Sequence, residues 1–185
     1  MKVVLHICCG VCAGGVVERL TAEGHEVLGF FHNPNIHPQA EYERRLEVAY
    51  RVARELNFPL EATPYAPEEW LAETRSLQNE PEGGKRCAVC FRLRLQKTFD
   101  YLEDCGGDAF TTTLTVSRDK AAEVVNKAGQ EIGGDRFLVR DFKKKGGSDR
   151  AIELANQWSL YRQHYCGCLY SQRSRITSPQ IRQSL

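Results

Sequence analysis

Two kinds of hydrophobic run alternate along this chain: short continuous ones, and longer ones that repeat about every 3.6 residues. Lys2 to Ile7 is a short apolar run, consistent with a strand buried on both faces. Val16, Val17 and Leu20 give residues 12 to 23 helical spacing, which stops at Gly24. Glu26 to Phe31 predicts a second strand. Residues 39 to 56 predict an amphipathic helix, with Tyr42, Leu46, Ala49, Val52, Ala53 and Leu56 on one face. Leu60 to Tyr65 reads as a third strand, and Pro67-Glu68-Glu69-Trp70 as a helix start, with proline in the first turn and acids at the positive dipole end. Helices follow at about Cys87 to Leu102, Asp119 to Ile132 and Ala151 to Tyr161, with further strands at Asp108 to Leu114 and Arg136 to Phe142. Such alternation predicts a doubly wound, mainly parallel α/β sheet with helices on both faces, forming one domain over residues 1 to 170. Ligands of such sheets bind beyond the carboxyl ends of the strands. The tail, residues 171 to 185, is polar and is expected to be loosely ordered.

At 185 residues, 42% hydrophobic and 26% charged, the chain can build its own core. It has no stretch of the roughly 20 apolar residues that a membrane span needs. The N-terminus carries no signal-peptide pattern, so a cytoplasmic protein is expected, with its thiols kept reduced. A net charge of +1 does not itself argue for a polyanionic partner. The cations are nevertheless grouped: Lys85 and Arg86 before Cys87; Arg92, Arg94 and Lys97 after Cys90; and Lys143, Lys144 and Lys145 together.

Cysteine placement changes the picture most. Seven of the eight cysteines fall into three groups: Cys8, Cys9 and Cys12; Cys87 and Cys90; Cys166 and Cys168. Disulfide stapling is the weaker explanation in a reducing compartment, and thiols so paired chelate metals. Seven exceed the four that one zinc or one iron–sulfur cluster uses, leaving three for a second metal or for redox chemistry. The two close pairs, Cys87, Cys90, Cys166 and Cys168, can supply four cluster ligands, and Cys8, Cys9 and Cys12 a single metal at a strand end. Cys105 reads as an ordinary residue of a helix end. Asn33, Asn35 and His37 occupy a proline-braced loop that can present amides to a polar ligand. Thr111 and Thr113 are strand residues or line a hydroxyl-rich pocket. Asp141 binds substrate or metal, or caps a turn; Arg162 reaches a phosphate, or ends a helix.

Six motifs then come in order: Cys8-Cys9-Gly10-Val11-Cys12, Phe30 to Pro38, Glu41-Tyr42-Glu43-Arg44-Arg45, Asn79 to Gly84, Asp108 to Leu114 and Tyr161 to Cys168. Together they resemble the QueH-type epoxyqueuosine reductases over about residues 2 to 170. Gly10-Val11 departs from the Ala-Pro expected there but keeps the thiol spacing. The resemblance implies a Rossmann-like fold similar to that of nucleotide α-hydrolases. It also implies cobalamin-independent reduction of epoxyqueuosine to queuosine at the tRNA wobble position. The implied cofactors are a 4Fe-4S cluster and an additional iron or other divalent metal; the implied partners are a tRNA anticodon stem-loop and a low-potential electron donor. Two other readings are a tRNA-thiolating ATP pyrophosphatase and a zinc-holding RNA-binding module. The first wants a Ser-Gly-Gly-x-Asp-Ser-like phosphate loop in the slot that Cys8 to Cys12 fill.

Overall fold

The computed structural model describes residues 1–172, so most of the predicted tail lies outside the described residues. Four strands, β1 (Lys2–His6), β2 (Glu26–Phe31), β3 (Leu60–Ala62) and β4 (Ala109–Thr112), pair in the order β3-β2-β1-β4, all parallel. The helices are α1 (Gly10–Ala22), α2 (Gln39–Glu55), α3 (Glu68–Thr74), α4 (Lys85–Cys105), α5 (Ala122–Gly133) and α6 (Gly147–Gln157).

The pleat of β1 sorts the core. Val3, Leu5 and Ile7 enter one cluster with Val16, Val17 and Leu20 of α1 and Val52 of α2, while Val4 enters another with Leu95 and Leu102 of α4 and Val125 of α5. Helices therefore cover both faces, which is why β1 is apolar at every central position. Each fully buried Leu or Val contributes about 1.5–3 kcal/mol.

The fifth predicted strand, Arg136 to Phe142, does not form. Only Phe137 bridges Phe110, and Leu138 N–H donates to Phe110 O at 2.9 Å. Thr111 Oγ1 then donates to Leu138 O at 3.0 Å, and the Asn126 amide brackets Arg140, its Nδ2 donating to Arg140 O at 3.0 Å and its Oδ1 accepting from Arg140 N–H at 3.4 Å. Side chains thus satisfy backbone groups that a ladder would have used. β3 ends after Ala62 because Pro64 has no N–H to continue it. β4 ends where Thr112 Oγ1 accepts from Leu114 N–H at 3.1 Å and starts a 3-10 turn over Thr113–Val116.

The strand order reverses between β1 and β4, since β2 and β3 extend one side of β1 and β4 the other. Beyond the carboxyl ends of those two strands lies the crevice where such sheets hold ligands.

Candidate metal centre and its cavity

Cys8, Cys9 and Cys12 sit in that crevice. β1 delivers Cys8, Cys9 is the extended residue preceding α1, and the first turn of α1 returns Cys12 beside them. Their three sulfurs lie within 4.8 Å of one another, the one such set among the described residues. Gly10 lets this turn lie on α2, because a Cβ there would meet Val48 backbone and side chain at 2.6–2.7 Å. The departure at position 10 is therefore matched by a close helix packing. Thr113 links the strand ends: its Oγ1 accepts from Cys8 N–H at 2.9 Å and donates to Cys8 Sγ at 3.2 Å. Gln163 Nε2 donates to Cys9 Sγ at 3.1 Å. Hydrogen bonds from Cys12 and Cys9 hold the Cys8 thiol well below its ordinary range, and the same bonds, with burial, push Cys12 well above it. The three thiols thus share their hydrogen bonds, with Cys8 the most readily ionised, and a bound cation would favour their deprotonation.

Of the other four thiols, Cys90, Cys166 and Cys168 gather around Trp70, and Cys87 lies one turn before Cys90 on α4. Gly83 N–H donates to Cys87 Sγ at 3.2 Å. Cys90 and Cys168 are buried with Trp70 in one small cluster, with Cys166 packed against it. Gly167, at φ +106°, turns the chain between the last two cysteines, and its carbonyl accepts from His37 N–H at 2.8 Å. A Cβ at that position would approach Ile36 at 2.9 Å and the Arg45 guanidinium at 3.1 Å. Arg45 forks onto Tyr165 O and Cys166 O, both at 3.1 Å, and is itself held by Glu41 at 2.7 Å. The Tyr161 hydroxyl also donates to Glu41, at 3.0 and 3.1 Å. The Glu41 to Arg45 motif thus anchors the last cysteine pair. Hydrogen bonding from Cys168 holds Cys166 well below the ordinary thiol range, and burial pushes Cys87 and Cys90 up.

A cavity of about 200 Å³ is lined by Cys8 and Cys12 of the first group and, of the second, by Cys166 alone. Arg94 and Lys120 also line it. Burial works against the Lys120 charge, yet the facing Cys8, Cys12 and Cys166 hold its ammonium above its ordinary value. No carboxylate pairs with it among the described residues. Sequence reasoning missed Lys120, which the helix expected from Asp119 to Ile132 took in; α5 starts only at Ala122, and Lys120 lies in the loop before it. It also left Arg94 among the grouped cations and gave no sign of its burial. At 3% exposure Arg94 is buried, donating to Asn33 Oδ1, while Asn33 Nδ2 donates to Ile7 O at 2.9 Å. Spacing carried a signal: Arg86, Cys90 and Arg94 recur every four residues along one buried stripe of α4.

Of the remaining candidates, Thr113 reaches the thiols but Thr111 serves Leu138 O, a structural bond. His37 packs on Trp70, its Nδ1 hydrogen-bonded to Asn35 O at 2.8 Å. Asn35 Oδ1 and His37 Nε2 are buried without partners. Asp141 lies apart from the cavity, paired with Lys143 at 3.6 Å and Lys144 at 3.8 Å, and Arg162 is exposed. Arg92 is exposed and paired with Glu131. All eight cysteines are free, Cys105 at the end of α4 among them. No described helix is long and apolar enough to cross a membrane.

The family model described as Epoxyqueuosine reductase QueH matches residues 3–174. Curated proteins bearing the name Epoxyqueuosine reductase QueH are similar over most of their length. The Streptococcus pyogenes protein is 38% identical over 180 residues, covering 92% of this chain and 70% of the relative. That of Haemophilus influenzae is 38% identical over 176 residues, covering 93% and 72%. That of Thermotoga maritima is 32% identical over 177 residues, covering 91% and 89%.

Proposed function

The chain belongs to the QueH family of epoxyqueuosine reductases, and we propose that the cavity between Cys8 and Cys166 is where it reduces the epoxide of epoxyqueuosine, at the tRNA wobble position, to the alkene of queuosine. The observation that carries this reading is the close Cys8, Cys9 and Cys12 trio at the switch point of the sheet, with Cys166 of the second thiol group lining the same cavity as Cys8 and Cys12. The donors fit soft-metal ligation: they are sulfurs, buried or half-buried, with Cys8, Cys9 and Cys12 within 4.8 Å of one another and the Cys8 and Cys166 thiols held below their ordinary range by neighbouring thiols. In this reading Cys87, Cys90, Cys166 and Cys168 hold a 4Fe-4S cluster, and Cys8, Cys9 and Cys12 an additional iron or other divalent metal. When bound, these groups supply single electrons and an electrophilic position for oxygen.

The reaction takes two electrons and two protons, breaks both epoxide C–O bonds, forms the C=C bond and releases water. A low-potential electron donor supplies the electrons. The protein's own residues bind and orient. The cavity is smaller than the roughly 300–1,000 Å³ that encloses a drug-sized ligand, so it suits one ring of a larger substrate. Lys120 donates to the oxygen as negative charge builds on it, a stabilisation that a low-dielectric site strengthens. Thr113 and Gln163 fix the sulfurs of Cys8 and Cys9, while Arg45 holds the wall formed by Tyr165 and Cys166.

Anaerobically reconstituted protein should contain iron and acid-labile sulfide beyond what a single metal requires. One zinc per chain without sulfide would contradict this centre. The RNA partner is read from chemistry: the exposed Lys144 and Lys145, with the half-buried Lys143, neutralise phosphates, without the buried Arg94. Binding to an anticodon stem-loop should weaken as salt rises, and neutralising the three lysines should flatten the slope by about 0.7–0.9 for each phosphate they had paired. An unchanged slope would assign those lysines to Asp141 and solvent alone.

A further inference from the structure

Two donors near Cys90 are buried without a nitrogen or oxygen acceptor to receive them. Trp70 is fully buried, and its Nε1–H has no such partner within the protein. Arg94 Nε–H is in the same position, and among the described residues Arg94 has no carboxylate partner, only the neutral Asn33 Oδ1. The other buried arginines have more acceptors for their charge, although Arg86 Nε, like Arg94 Nε, is unpartnered. Arg45 has Glu41, and Arg86 Nη1 donates to the carbonyls of Leu77, Gln78 and Glu80. A buried charge and a buried N–H left unmatched are both costly, so Arg94 calls for negative charge nearby and Trp70 for an acceptor.

The fold brings one to them. Trp70 shares its buried cluster with Cys90 and Cys168, and Arg94 follows Cys90 by one turn of α4 and lines the cavity with Cys8, Cys12 and Cys166. Burial pushes the Cys90 thiol up, while the Arg94 charge and the nearby Trp70 donor favour its thiolate.

We propose that Trp70 and Arg94 are positioning residues that set the reduction potential of the metal–sulfur centre at Cys90, Trp70 by an N–H bond to sulfur and Arg94 by a fixed positive charge beside it. The inference rests on the iron–sulfur reading above. Reduction adds one negative charge to the centre and moves no bond. A donor and a cation stabilise the reduced form more than the oxidised one, so both raise the potential. Arg94 also borders the cavity, and its charge acts on both thiol groups.

The test is a stepwise dithionite titration of the anaerobically reconstituted full chain, followed by electron paramagnetic resonance. Trp70→Phe keeps an aromatic ring and removes the N–H. It should shift the ratio of oxidised to reduced centre about tenfold at a fixed potential, equivalent to a midpoint about 59 mV lower for a one-electron couple. Arg94→Gln should lower the midpoint further, and Arg94→Lys, which keeps the charge, should recover most of it. Midpoints equal to the unsubstituted protein's in Trp70→Phe and Arg94→Gln, at full iron content, would overturn the proposal. A second readout needs no substitution: with ¹⁵N-labelled tryptophan, the reduced centre should show hyperfine coupling to an indole nitrogen. Absence of that coupling overturns the Trp70 assignment even where a variant fails to fold. Neither readout requires turnover. Unsubstituted protein that takes up no iron and sulfide would instead overturn the underlying reading.

Discussion

Replacing Cys168 or Cys87 with alanine is expected to abolish the charge-transfer absorption of the anaerobically reconstituted protein, whereas Cys12→Ala is expected to keep it. Cys168 is buried beside Cys90 and Trp70, and Cys87 lies one turn before Cys90 on α4, so in the proposed partition each removal takes a ligand from the same four-thiol set. Cys12 belongs to the other set, with its sulfur within 4.8 Å of Cys8 and Cys9. Its loss should remove the second metal and turnover while leaving the chromophore. Absorption that survives Cys168→Ala and disappears in Cys12→Ala would reverse the partition. Cys166, lowered by Cys168 and facing the same cavity as Cys8, is the residue at which the two sets meet.

Lys120→Met should lower turnover about 10²–10³-fold, the usual cost of removing one preorganised donor from a developing oxyanion. Iron content should be unchanged, because Lys120 offers no ligand atom to a metal while protonated. Lys120→Arg should restore part of the rate, since it keeps the charge but alters the reach and geometry of the donor. Full turnover by Lys120→Met would remove the lysine from the reaction and leave the oxygen to be stabilised by the other groups of the cavity.

The parts of this molecule legible in its sequence are those set by local spacing. β1 and β2 announced themselves because strands buried on both faces must be apolar throughout, and α2 because it must be apolar on one stripe. Cysteine pairs one turn apart were equally plain. What spacing could not supply was the partner across the fold. Thr113 reads as one β-branched residue among three, and only the β1–β4 pairing brings its hydroxyl to Cys8. Arg94 sits in a basic run indistinguishable from a solvated face until α4 packs against the Asn33 loop. Asp141 looked like the end of a strand, but the segment's backbone is satisfied by Thr111 and Asn126, so no strand end carries it to the crevice. Lys120 lies in a loop whose position depends on the sheet rather than on its own residues.

The central claim is deoxygenation of epoxyqueuosine in this cavity, and turnover tests it most directly. Reconstituted protein, a low-potential reductant and epoxyqueuosine-containing tRNA should yield queuosine without cobalamin. Nucleoside mass spectrometry should then register the loss of one oxygen from the modified base, and Cys105→Ala, altered at the far end of α4, should perform equally well. Product that forms only when cobalamin is added, or in proportion to ATP consumed, would contradict the account.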